Sequence, residues 1–279
     1  MTLDSFVNYL TDMEPPQPIF HLTFPEAREV VVCGDIHGDF NQLVFKLCVQ
    51  YEMQDTLLIV AGDCGFFEKR KYYENMVRKN TSRMSKANNW IVFVRGNHDN
   101  PAYFDGKTFS HKRFMAVPDY TVIEANGHTI LTIGGAVSVD RECRKIEWEK
   151  TSRRMHLQRE NSPLSKNYYW NNEAPVFCPQ LLSEICRKYK VEEVITHTAP
   201  SFCELISKDG IEHWAMSDST LLADVAAERE VMDNIWNLLR HSDQRINHWC
   251  YGHFHQSRSS QVDGTLFKML DIMELYSLH

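Results

Sequence analysis

No Cys-x-x-Cys pair occurs in this chain of 279 residues, although it has eight cysteines. Spread out as they are, Cys33, Cys48, Cys64, Cys143, Cys178 and Cys250 outline neither a disulfide framework nor a zinc site, and they read as reduced, mostly buried small hydrophobes. No apolar run reaches membrane-spanning length. Residues 1–10 lack the basic stretch and apolar core of a secretory signal. Together these absences predict a cytoplasmic protein with no membrane partner. Basic charge is also short: 30 Lys and Arg against 37 Asp and Glu leave a net charge of −7, which argues against broad nucleic-acid binding by phosphate neutralisation. Internal repeats and low-complexity tracts are missing. What remains is an ordinary globular composition, 43% hydrophobic, at a length that suits one large α/β domain with insertions.

Residues 1–29 read as a peripheral segment: a short helix over residues 5–13, then Pro15, Pro16 and Pro18, which favour an extended connector. From residue 30 to 279 strands and helices alternate. Apolar runs at 30–33, 57–60 and 90–94 are separated by helical stretches at 41–50 and 69–89, a pattern of βαβ units with strands buried on both faces. Asn126-Gly127 between residues 121–125 and 128–133 predicts a β-hairpin, so the sheet is mixed. Residues 140–175 form a basic, aromatic insertion or cap that contains Arg141, Arg144, Arg153, Arg154, Tyr168, Tyr169 and Trp170. Helices near 179–188 and 220–240 follow, with strands near 191–196, 248–251 and 265–275.

Polar clusters sit where the strands end. Residues 30–33 run into Gly34-Asp35-Ile36-His37-Gly38, residues 57–61 into Gly62-Asp63, and residues 90–94 into Arg95-Gly96-Asn97-His98-Asp99. Residues 194–196 run into His197 and residues 248–251 into Gly252-His253-Phe254-His255. Ligands of open α/β sheets bind outside the carboxyl ends of strands, so these clusters converge on one site. Asp, Asn and His together suit Mn, Fe, Zn or similar ions, and there are more of them than one ion takes. A bridging carboxylate can hold two ions roughly 3.5–4 Å apart for attack on a phosphate ester by an activated water. Capping and turn chemistry alone would explain Asp, Asn and Gly at these positions, but not four histidines.

These segments, in this order and with His197 between the third and fourth, resemble the signature of the calcineurin-like metallophosphoesterase superfamily over about residues 30 to 256. The resemblance implies a four-layer α/β/β/α sandwich of two mixed sheets. It also implies that Asp35, His37 and His255 bind one metal, that Asn97, His197 and His253 bind the other, and that Asp63 bridges them. His98 would stay off the metals and serve the phosphate or the leaving group. Two divalent ions (Mn, Fe, Zn or Mg, with Mn favoured) are the expected cofactors.

The chain departs from the phosphoprotein-phosphatase branch after its second motif, where Gly62-Asp63-Cys64-Gly65-Phe66-Phe67-Glu68 lacks that branch's additional Asp and Arg. Arg141 and Arg144 are the candidates to hold the phosphate instead. Cys33 and Cys64 border the motifs and are read as packing residues. The expected activity is hydrolysis of a phosphomonoester, on a small molecule or nucleotide. Phosphodiester cleavage of a nucleotide or nucleic acid is the second reading, and a non-catalytic interaction module on the same fold the third.

Overall fold

The computed structural model describes residues 18–67, 70–156, 170–203 and 210–279. The helix expected over residues 5–13 lies outside these, as do Tyr168 and Tyr169. In chain order the strands are β1 (His21–Phe24), β2 (Glu29–Cys33), β3 (Thr56–Ala61), β4 (Trp90–Val94), β5 (Ser110–His111), β6 (Phe114–Ala116), β7 (Thr121–Ala125), β8 (His128–Ile133), β9 (Glu193–Thr196), β10 (His248–Tyr251), β11 (Arg258–Val262), β12 (Thr265–Met269) and β13 (Leu275–Ser277). The helices are α1 (Phe40–Phe45), α2 (Arg70–Lys86), α3 (Arg141–His156), α4 (Pro179–Lys188), α5 (Ile211–Ala215) and α6 (Leu221–His241). A π-helical segment, Lys46–Gln50, continues α1 over the rest of the expected helix.

The strands form two mixed sheets, one in the order β1-β7-β8-β9-β10-β12-β11 and the other β13-β2-β3-β4-β6-β5. Alternation along each strand sorts the apolar side chains into layers, because successive residues point to opposite faces. Val31, Cys33, Leu58, Val60, Ile91 and Phe93 face a cluster with Phe40, Leu43, Tyr73 and Met76 of α1 and α2. Their neighbours Val30, Val32, Leu57, Ile59 and Val92 face Ile123, Ile130, Ile195 and Cys250 of the other sheet. Leu131, Val194 and Trp249 point the opposite way, onto Leu182 of α4 and Ile235 and Trp236 of α6. The result is the four-layer α/β/β/α sandwich.

The hairpin read at Asn126-Gly127 is present, with Ala125 opposite His128. A single strand over 265–275 is not. The chain leaves β12 after Met269, turns at residues 270–274, and enters the other sheet as β13, antiparallel to β2. Local pattern cannot announce that change of sheet, because both pieces are apolar. Strand β1 lies at the edge of the larger sheet, parallel to β7. Among the described residues, no helix is long and apolar enough to cross a membrane.

Cutting a side chain in the layer between the sheets should cost most. Ile59→Ala, at a fully buried position, is expected to lower the unfolding free energy by about 2–5 kcal/mol. Leu222→Ala, 52% exposed on α6, should change it by no more than about 0.5 kcal/mol. Urea unfolding of the two variants checks the difference.

Candidate metal centre

Chain leaving β2, β3, β4, β9 and β10 meets at one edge of the sandwich. There Asp35 and Asp63 are almost wholly buried. Asp35 accepts from the His253 backbone N–H at Oδ1 (3.0 Å) and lies 3.0 Å from His255 Nε2 at Oδ2. Asp63 Oδ1 accepts from the His98 backbone N–H at 2.9 Å and lies 3.4 Å from His197 Nε2. Two glycines allow the approach. A Cβ on Gly62 would come within 2.1 Å of His197 Nδ1, and one on Gly252 within 2.1 Å of Asp35 Oδ1, both far inside van der Waals contact. Four of the candidate ligands sit in the left-handed region: His37 (φ 45°), Asp63 (43°), His253 (70°) and His255 (50°). Such a conformation costs a non-glycine residue about 1–2 kcal/mol, and backbone strain concentrated in this way marks functional sites.

The donor atoms suit cations. His197 Nδ1 lies 2.8 Å from the Ala61 carbonyl, which can only accept, so this nitrogen carries the hydrogen. Its Nε2 is then the nitrogen that faces Asn97 Oδ1 at 2.9 Å and Asp63 Oδ1 at 3.4 Å. Acceptors that face one another in this way need positive charge between them. Burial opposes a charge on His197, yet the Asp63 and Asp35 carboxylates outweigh it and raise the ring to about 9, so the positive charge is either a proton on Nε2, donated to Asn97 Oδ1, or a cation in its place. Burial, reinforced by His197, holds His253 well below the usual histidine range, and burial lowers His37 too, so both rings are neutral donors. For Asp63, burial works against ionisation, but His98 and His197 keep the carboxyl well below its ordinary value.

Two groups of ligand atoms follow. Those of Asp35, His37 and His255 lie within 4.8 Å of one another, and so do those of Asp35, Asp63 and His197. The first group opens to solvent at His37 and His255, whose Nε2 atoms are 3.1 Å apart; the second is buried. Asn97 joins the second group through its contact with His197. The His253 ring lies 5.0 Å from that of His197, centre to centre. His98 stands just outside, its Nε2 3.7 Å from Asp63 Oδ2.

The two candidate arginines of α3 part company. Arg144 Nη1 donates to His98 Nδ1 at 3.0 Å. Arg141 turns away and binds Asp218 at 2.6 Å and Asp224 at 2.5 Å, so its guanidinium ties α3 to the start of α6 instead of reaching the cluster. Cys33 and Cys64 are fully buried core residues, and the Cys64 thiol donates to the Val94 carbonyl at 3.1 Å.

Three residues beyond those singled out in the sequence shape the site. Asp99 is fully buried and accepts from four backbone N–H groups: Cys64 (3.0 Å), Gly65, Phe66 and Gly96 (2.8 Å each). It staples the loop after β3 to the loop after β4, and so fixes Asp63 relative to Asn97. Burial and the Asp63 charge push its carboxyl up in spite of these donors. Ser138 and Glu173 lie behind Asn97. Burial drives Glu173 up to about 7 against two hydrogen bonds from Ser138. Asp99 stands in a motif already visible and Ser138 in the loop between β8 and α3, whereas nothing local marks Glu173.

Asp99→Asn keeps the shape but swaps one acceptor oxygen for a donor that faces N–H groups. A buried donor left unsatisfied costs about 1–3 kcal/mol, and more where a charged partner is lost. The variant should unfold in urea with a loss of about 2–4 kcal/mol and bind less metal, as elemental analysis would show.

A family model described as calcineurin-like phosphoesterase matches residues 29–257. No curated protein sequence matches the chain. Among solved structures, it is similar to a dimetal phosphatase from Danio rerio, at 13% identity over 92% of this chain and 88% of that one, with a TM-score of 0.45. It is also similar to the phosphopantetheinyl hydrolase of Mycobacterium tuberculosis, at 13% identity over 88% and 91%, TM-score 0.35. A third similarity is to a putative 5′-nucleotidase from Staphylococcus aureus, at 12% identity over 89% and 50%, TM-score 0.40. The matched span opens with the first residue of β2 and closes beyond His255, so it takes in every strand end that carries a candidate ligand: the chain belongs to the calcineurin-like phosphoesterase family, and is a metal-dependent hydrolase of phosphate esters.

Proposed function

We propose that this phosphoesterase acts on phosphomonoesters of small molecules or nucleotides, with Arg144 and His98 as the groups that receive the phosphate. One observation carries the reading. Arg144 Nη2 is buried with no hydrogen-bond partner, while its Nη1 touches His98 at the edge of the cluster. Arg144 Nε lies 3.0 Å from Asp140 Oδ1, an ion pair outside hydrogen-bond geometry. A buried guanidinium N–H left without an acceptor is costly, and a phosphate oxygen is the acceptor that its fork fits. A monoester dianion, with more charge than a diester, gains more from it.

Arg144 also sets the state of His98. A guanidinium can only donate, so His98 Nδ1 must accept and the ring hydrogen belongs on Nε2, the nitrogen that faces Asp63. His98 thereby turns its Nε2–H towards the site; once Arg144 shifts onto a phosphate oxygen, Nδ1 is free to take up a proton, and the imidazolium can then give its Nε2 proton to the leaving oxygen. When bound, two divalent ions supply charge for the phosphate oxygens and lower the pKa of an attacking water. Asp35, His37 and His255 would hold one, and Asn97, His197 and His253 the other, with Asp63 between them. Manganese is the favoured ion, in line with the mixed oxygen and imidazole donors. A reducing, cytoplasmic location is the reading that suits the buried thiols of Cys33, Cys64 and Cys250.

Paired aryl monoester and diester substrates with Mn²⁺ test the reaction class. The monoester should turn over faster. Arg144→Ala should reduce monoester hydrolysis by roughly 10–100-fold, the worth of one charge-assisted contact, and diester hydrolysis less. Arg141→Ala should leave the ratio of the two rates unchanged. A faster diester reaction in the unaltered protein would sink the monoesterase reading.

His98→Ala should keep both ions while slowing turnover by roughly 10²–10⁴-fold, the usual worth of a positioned proton donor. The loss should grow as the leaving group becomes poorer. Equal losses across a series of leaving groups would exclude proton donation.

A further inference from the structure

We propose that Glu173, acting through Ser138, determines which end of the Asn97 amide faces the metal site, and that both are positioning residues for the second ion; this rests on the two-ion reading above. The two ends of an asparagine amide have nearly the same shape and opposite polarity. Only the oxygen end can ligate a cation.

A chain of buried hydrogen bonds selects that end. Ser138 N–H donates to Glu173 Oε1 at 2.7 Å, and the Ser138 hydroxyl donates to Glu173 Oε2 at 2.7 Å. A carboxylate accepts only, so it takes the hydroxyl hydrogen and leaves Ser138 Oγ with lone pairs to offer. Asn97 Nδ2 donates to that oxygen at 2.9 Å, which turns Asn97 Oδ1 towards His197 Nε2. All three side chains are sealed from solvent, with relative exposures of 1% for Asn97, 1% for Ser138 and 4% for Glu173, so no bulk water competes. Glu173 is itself held in place. Arg95 Nη1 donates to its backbone carbonyl at 2.6 Å, and Arg95 Nη2 pairs with Asp119 at 2.9 Å. The far end of the 140–175 segment is thus tied to the strand that delivers Asn97.

An isosteric change reverses the polarity. In Glu173→Gln the amide oxygen is retained by the fixed Ser138 N–H, which leaves the amide nitrogen to donate to Ser138 Oγ. Both amide nitrogens could share the two lone pairs of Ser138 Oγ only at the cost of a buried hydroxyl hydrogen without an acceptor, so the hydroxyl is drawn to Asn97, which meets it by turning its own oxygen away from the site. Asn97→Asp in the same background accepts that hydroxyl and still offers an oxygen to the ion.

Calorimetric titration of Mn²⁺ into the metal-free full chain at pH 8, on the ionised side of Glu173, tests the relay. The unaltered protein should bind two ions. Glu173→Gln and Ser138→Ala should each weaken one of them by roughly 10–100-fold, the usual effect of losing a partner behind a ligand, and Asn97→Asp should restore most of the loss in Glu173→Gln but not require any change in folding. Urea midpoints near that of the unaltered protein would show that folding is not what moved. If the unaltered protein binds two ions and both single variants match it within about threefold, this inference fails alone. It fails too if the double variant binds no better than Glu173→Gln. An unaltered protein that binds no Mn²⁺ overturns the two-ion reading as well.

Discussion

Asp35 and Asp63 are buried side by side at the end of two parallel strands, and both lie within reach of the same histidine, His197. Like charges out of water repel strongly and are retained only where positive charge offsets them. Much of the local architecture serves that demand. Glycines let the loops close to bonding distance, left-handed backbone at four ligand positions aims the side chains inward, and Asp99 binds four N–H groups to keep two loops in register. The strain is tolerable because the strands beneath are packed on both faces, so the scaffold can impose geometry that a loop alone would relax.

The layers were legible because period-two alternation within short apolar runs specifies which residues face which side. Val30 to Cys33 already contain the division between the outer and inner layers. The candidate ligands were legible for a related reason: each follows a recognisable strand, and five strand ends in a parallel arrangement open onto one edge. What was not legible depends on tertiary approach. The passage of the chain from β12 to β13 joins two sheets without any local signal, and the short strands β5, β6 and β11 lack sustained alternation. Glu173 lies in a stretch with no pattern of its own, and only Arg95 and Ser138 bring it behind Asn97.

Arg141 and Arg144 show where residue type stops being informative. They are three positions apart on α3, both basic, both next to the same loop. Asp218 and Asp224 on one side and His98 on the other give them different work. One holds the helix against α6, and the other acts on the imidazole.

Strand β13 pairs Tyr276 with Val32, across almost the whole sequence. The same passage supplies the Glu274 carbonyl to Gly34 N–H and the Met273 N–H to the Asp35 carbonyl, so it braces the first ligand from behind. Contacts so distant in sequence form late, since a large loop must close before they yield any gain. During synthesis β2 therefore waits as an unpaired edge with its backbone groups exposed, a template that other extended chains can occupy. The step that completes the first ligand's support is also the one that removes this edge, which couples maturation of the metal site to protection against aggregation.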